Sequence, residues 1–174
     1  MARKVFFSFY YDRDIRRVVQ VRNSWRFRNG DSQPFIDKAE WEKLERTGPA
    51  AVKGWIDRNM DGAGVTVVLI GAQTYTRPYV RYEIEQSRKL HKGLLGIRIS
   101  RIRDPQTGTD VEGLNPFDYV TFEERNPAAG LLGFTSNTRT RKYSDVYPVY
   151  DWVLQDGQSN MEAWIEAAAK AAGR

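Results

Sequence analysis

At 174 residues the chain is long enough for one well-cored domain, 1–174, since domains usually hold ~100–200 residues. Hydrophobic residues make up 41% and charged residues 28%, which excludes a disordered chain, and the lack of cysteine with a single histidine excludes disulfides, thiolate metal sites and a zinc cluster. The formal charge of +5 is spread among Asp and Glu except in "RISRIRD" (98–104) and "TRTRK" (138–142), so nucleic acid is disfavoured as a partner.

The N-terminal "MARKVFFSFYYD" places basic residues before a short apolar run but lacks a small-residue cleavage site, so it predicts a first strand at 4–9 rather than a signal peptide. A helical pattern follows at 13–23 ("RDIRRVVQVRN"), then a short strand at 34–37 ("PFID"). The next helix spans 48–60, where Pro49 suits a first helical turn, and leads into the β-branched run "VTVVLIG" at 65–71. Helix 78–92 ("PYVRYEIEQSRKLHK") separates that run from "GLLGIRI" at 93–99. From 103 to 144 the chain is rich in Gly, Pro, Asn and Thr, and a stretch of that length predicts a functional or partly helical loop. A last strand near 145–152 and a helix at 161–172 close the chain. No apolar run approaches the ~20 residues needed to cross a bilayer, which predicts a cytoplasmic protein.

Strands and helices alternate throughout. That order predicts an α/β domain with a central parallel sheet of about five strands and helices on both faces. Ligands of such sheets sit beyond the carboxyl ends of the strands, which here are followed by "SFYYDRD" (8–14), "DKAEW" (37–41) and "GAQTYTRPY" (71–79). None of these is a GxGxxG or GxxxxGK[ST] phosphate loop, so conventional dinucleotide-fold and P-loop chemistry is disfavoured.

The helix at 78–92 carries two glutamates. At about 100° per residue, Val80, Ile84, Ser87 and His91 share one stripe facing the sheet, while Glu85 lies opposite with Arg81, Arg88 and Lys89 at pairing distance. Glu85 reads as a solvated structural charge. Glu83 instead falls at the stripe's edge, one turn beyond Tyr79 and without a cation at i+3 or i±4. The helix amides of the second turn favour an anion, so Glu83 is expected to be ionised near neutral pH. An anion one turn from an aromatic ring, at the ligand-binding edge of a sheet, suits a cationic ring substrate whose bond breaks to leave a positively charged sugar. The alternative is a glutamate bonded to a backbone amide or a Tyr hydroxyl.

Several stretches in the first 118 residues resemble the TIR-like proteins of bacterial Thoeris anti-phage defence: "RKVFFSFYYDRD", "QVRN" (20–23), "WIDRNMDGAGVTVVLIGAQT" (55–74), "YVRYEIEQS" (79–87), "GLLGIRI" and "GLNPFD" (113–118). The resemblance implies a flavodoxin-like TIR fold and an enzyme that consumes NAD as substrate, with no permanently bound cofactor. It implies release of nicotinamide and formation of a cyclic or conjugated ADP-ribose that diffuses to a separate effector. It further implies a homo-oligomer that completes the active site and a phage-derived trigger. The family's W-V-x-x-E-I pattern reads Tyr79-Val80-Arg81-Tyr82-Glu83-Ile84 here, which assigns the catalytic carboxylate to Glu83 and the ring contact to Tyr79. Ser8, Phe9, Tyr10 and Asp14 lie in the loop where the family contacts substrate, Asn23 ends "QVRN", and Asp37 ends the second strand beside Trp41. Each also has a structural reading: Ser and Asp as helix caps, Phe9 as core, Trp41 as cover for the sheet. Ser100 stands where many relatives have His, which leaves the product type open. A noncatalytic TIR interaction module is the competing function.

Overall fold

The structure is a computed structural model that describes residues 3–29, 38–126 and 138–174. In chain order its main elements are β1 (Val5–Ser8), α1 (Tyr11–Asn29), α2 (Lys38–Thr47), α3 (Pro49–Met60), β2 (Val65–Ile70), α4 (Pro78–Lys89), β3 (Gly93–Arg98), β4 (Thr121–Arg125), β5 (Thr138–Lys142), β6 (Val149–Asp151) and α5 (Gly157–Ala171). The apolar runs became parallel strands in the order β1-β2-β3-β6, with Val5 opposite Val65, Val65 opposite Gly93 and Gly96 opposite Val149.

Side chains alternate across the sheet with the period of two that extended backbone imposes. On one face Val5, Phe7, Val67, Leu95 and Ile97 pack against Val18, Val21 and Trp25 of α1 and Ile165 and Ala169 of α5. On the other face α3 brings Val52, Ile56 and Met60 to Phe6, while α4 brings Val80 and Ile84 to Val68, Ile70 and Leu94. Both faces are covered, which is why these strands read as continuous rather than alternating apolar runs. The parallel sheet with helices on both faces is what the alternation of elements predicts, and the arrangement is consistent with the flavodoxin-like α/β fold that the resemblance implies.

Four parallel strands are described rather than about five; the strand expected at 34–37 lies outside the described residues. Three other expectations need correction. Trp41 sits within α2, where a loop was expected: Trp41 and Leu44 give this helix only a narrow apolar edge, and none of its residues is buried. The 103–144 stretch is not only loop, because β4 and β5 pair antiparallel from Thr121 opposite Lys142 to Arg125 opposite Thr138. His91 leaves the apolar stripe, because α4 ends at Lys89 and His91 turns into the left-handed region (φ 50). There its amide donates to the Arg88 carbonyl at 3.0 Å and that of Lys92 to the Ser87 carbonyl at 2.9 Å, the pattern that closes many helices.

Candidate active site at the carboxyl ends of the strands

Arg77 holds an extended conformation (φ −85, ψ 117) and Pro78 occupies the first helical position, so α4 starts as soon as the chain leaves the loop after β2. That start fixes the helical phase and turns Glu83 inward. Glu83 is 7% exposed, and the hydroxyl of Ser8, the last residue of β1, donates to its Oε2. Ser87 Oγ bonds to the Glu83 carbonyl at 2.7 Å and lies 2.7 Å from Thr66 Oγ1, tying this turn of α4 to β2. Glu85, on the outer face, pairs with Arg81 at 3.0 Å.

The expected charge state of Glu83 is overturned. Burial pushes its carboxyl up to about 8, and the Ser8 hydroxyl only partly opposes the shift. Among the described residues no cation pairs with it. The second-turn helix amides are a weak influence beside loss of water. Burial therefore shifts Glu83 toward its neutral, protonated form near neutral pH.

Tyr79, one turn before Glu83, belongs to an aromatic group packed against Phe6 and α3. Its ring meets Trp41 edge-on at 6.1 Å and 89°, and Trp41 meets Trp55 at 5.9 Å and 75°. Tyr10 lies under the guanidinium of Arg77, 3.9 Å from Cζ to ring centroid, which joins the loop after β1 to the start of α4. Phe9 points to the opposite side of the sheet, packs against the α1/α5 core and stacks with Tyr11 at 6.1 Å.

Asp14 is fully buried, but beneath the loop rather than open to it. A Cβ on Gly71 would lie 2.1 Å from Asp14 Oδ2, and a Cβ on Gly113 would lie 2.0 Å from the Gly71 carbonyl oxygen, so the backbone after β2 is sandwiched between α1 and the 113 loop. Thr74 offers the buried Asp14 carboxyl only a weak hydrogen bond, and the nearest paired cation is Arg17 with Nη1 at 3.9 Å. Burial raises the Asp14 carboxyl to about 6 against the pull of Arg17. Arg17 donates to the carbonyls of Ile102 at 3.0 Å and Gly108 at 2.9 Å, and Arg13 pairs with Asp110 at 2.8 Å, so α1 grips the segment after β3.

The structure thus joins Ser8 to Glu83, with Tyr79 one helical turn before Glu83 and Tyr10 beside Arg77 at the start of α4. It does not bring Asn23 there: Asn23 is exposed on α1, about 18 Å along the helix axis from Tyr11 at 1.5 Å per residue. Asp37 lies outside the described residues. Ser100 is buried at the turn after β3, where its carbonyl accepts from the Asp110 amide at 2.8 Å. Sequence reading missed the part of Arg77. An arginine just before a helix-starting proline was visible, but its contact with Tyr10 joins residues 67 positions apart in the chain. Among the described residues no group of three or more acidic or histidine side chains is placed to hold a metal ion, and no helix is long and apolar enough to cross a membrane.

A parallel sheet covered by helices on both faces, whose first strand delivers a hydroxyl to a buried glutamate on the helix after β2, is consistent with a TIR-like α/β domain. Residues 6–104 match the family described as "Thoeris protein ThsB, TIR-like domain", and the chain belongs to that family. It is also similar to the protein named "Putative cyclic ADP-D-ribose synthase ThsB1" of Bacillus cereus (strain MSX-D12), with 32% identity over 191 residues that cover 95% of this chain and 100% of the relative.

Proposed function

We propose that this protein is a cytoplasmic NAD-consuming enzyme of anti-phage defence, which cleaves the nicotinamide–ribose bond and forms a cyclic or conjugated ADP-ribose signal. One observation carries the reading: Glu83 is buried with no counter-charge among the described residues, bonded to Ser8 at the carboxyl end of β1. The name of the Bacillus cereus relative supports the product class.

A buried acid that meets a serine hydroxyl and, among the described residues, no cation is poised for one. A positive pyridinium within ~4–6 Å lowers a carboxyl pKa, so substrate entry itself favours loss of the Glu83 proton. The resulting carboxylate accepts from a ribose hydroxyl and faces the positive charge that grows on the sugar as the C–N bond lengthens. Nicotinamide departs with the bonding electron pair as a neutral molecule, so no second carboxyl group is needed to protonate it, unlike the paired acids of ordinary glycoside hydrolysis. A hydroxyl or ring nitrogen of the same molecule, or water, then attacks the anomeric carbon and loses its proton where it carried one. Tyr79 supplies a ring face for the cationic nicotinamide. Ring closure in place of hydrolysis requires that water be kept out.

A second copy of the chain completing the site, a phage trigger and a separate effector reached by the diffusible product belong to the same proposal. The test is incubation of the protein at high concentration with NAD, with and without lysate from phage-infected cells, followed by chromatography for nicotinamide. Release by wild type and loss in Glu83→Gln, with the fold kept, is the expected result. Silence under both conditions defeats the enzymatic reading.

A further inference from the structure

The flank of α4 turned away from Glu83 carries a second concave feature. At about 100° per residue, Arg77, Arg81 and Ile84 fall on one side of the helix and Tyr79 and Glu83 on the other. Arg77, Pro78 and Arg81, with Thr74, Tyr75 and Tyr119, line a cavity of about 270 Å³. Two of its walls are aromatic: the Tyr75 and Tyr119 rings lie 5.5 Å apart at 31°, and Tyr119 is 49% exposed. Two others are cationic.

The two arginines differ. Arg81 is already compensated by Glu85 at 3.0 Å. Arg77 has no carboxylate partner among the described residues, and its contacts are all neutral. Its Cζ lies 3.9 Å from the Tyr10 ring centroid, Nε donates to Thr76 Oγ1 at 3.1 Å, and Nη2 donates to Gln73 Oε1 at 3.5 Å. A planar guanidinium held by a ring and two neutral oxygens is fixed in place with its charge uncompensated, which is the state that receives an oxyanion.

We propose that this cavity is a subsite for the phosphate-bearing half of a dinucleotide, with Arg77 contacting phosphate and the Tyr75 and Tyr119 rings offering a surface for the base. The inference rests on the NAD reading above. Size agrees: drug-sized ligands occupy pockets of about 300–1,000 Å³, so 270 Å³ admits one half of a dinucleotide. Base stacking on tyrosine tolerates any base, so phosphate is the group the site requires.

The experiment is calorimetric titration of ADP-ribose into wild type, Arg77→Gln, Arg77→Lys and Tyr119→Ala, each checked for an unchanged thermal midpoint. Expected are at least tenfold weaker binding in Arg77→Gln, partial recovery in Arg77→Lys, several-fold weakening in Tyr119→Ala, and a salt dependence that is shallower in Arg77→Gln than in wild type. No binding to wild type at millimolar ADP-ribose, or equal affinity in wild type and Arg77→Gln, overturns the proposal. Nicotinamide release separates the two ideas. If Arg77→Gln cleaves NAD with an unchanged KM, the subsite is refuted and the enzymatic reading stands. If ADP-ribose binding depends on Arg77 in a protein that never releases nicotinamide, the subsite stands and the enzymatic reading fails.

Discussion

Replacing Glu83 by Gln removes an ionisable group and keeps a side chain able to accept from the Ser8 hydroxyl. Burial raises the Glu83 carboxyl from 4.5 to about 8 in the folded state. A raised acid pKa contributes stability that is fully present below the unfolded value and is lost as pH rises through the folded one, because between the two values only the unfolded chain ionises. At about 1.36 kcal/mol per pH unit, the gap from 4.5 to about 8 is worth about 5 kcal/mol in full and about 3 kcal/mol at pH 7. Glu83→Gln escapes this loss. For a chain of this size, where 1 kcal/mol moves Tm by about 2–4 °C, the variant should melt roughly 6–12 °C above wild type at pH 7. The two should converge near pH 4.5. Urea unfolding of both proteins at half-unit steps from pH 4.5 to 9 measures the difference directly, and the Asp14 carboxyl, raised to about 6, titrates in both and cancels. Parallel stability curves across that range, or a wild type that gains on the variant as pH rises, would show that Glu83 is ionised in the folded protein and would refute the argument from burial.

If the ionised form of Glu83 is the one that acts, kcat/KM for NAD should climb with pH and level off above about 8, while kcat levels off at lower pH because bound cationic ring favours ionisation; initial rates from pH 5.5 to 9.5 read both limbs. Ser8→Ala deletes the hydrogen bond that opposes the effect of burial, so the limb in kcat/KM should move further alkaline with the far-ultraviolet spectrum unchanged. Gly71→Ala drives a methyl group onto Asp14 and should cost about 1–3 kcal/mol in urea unfolding, as overpacking does. In an Asp14→Ala background the same change should cost clearly less, and equal costs in the two backgrounds would remove Asp14 from beneath that loop.

The strands were legible in the sequence because residues that pack on both faces of a parallel sheet must be apolar at nearly every position, which "VTVVLIG" satisfies. Pro78 marked the start of α4, and helical spacing alone separated Glu83 from Glu85, since both depend on chain geometry within a few residues. The phase of a helix says which side a carboxylate faces, but not how much water reaches it. That was decided by packing that closes over Glu83 and Ser8, 75 positions earlier; burial raises the carboxyl although the Ser8 hydrogen bond pulls the other way, and the result favours a proton that the helix alone does not predict. Asp14 followed the same rule: its place in the first loop made it look like a ligand contact, whereas the approach of α1 to Gly71 set it under the backbone. The β4–β5 pairing, the stack of Arg77 on Tyr10 and the fit of Trp41 against Tyr79 likewise join distant segments. Backbone preference and periodicity act over a turn or a strand and are therefore written locally, whereas desolvation and charge pairing depend on whatever the fold brings within a few ångströms.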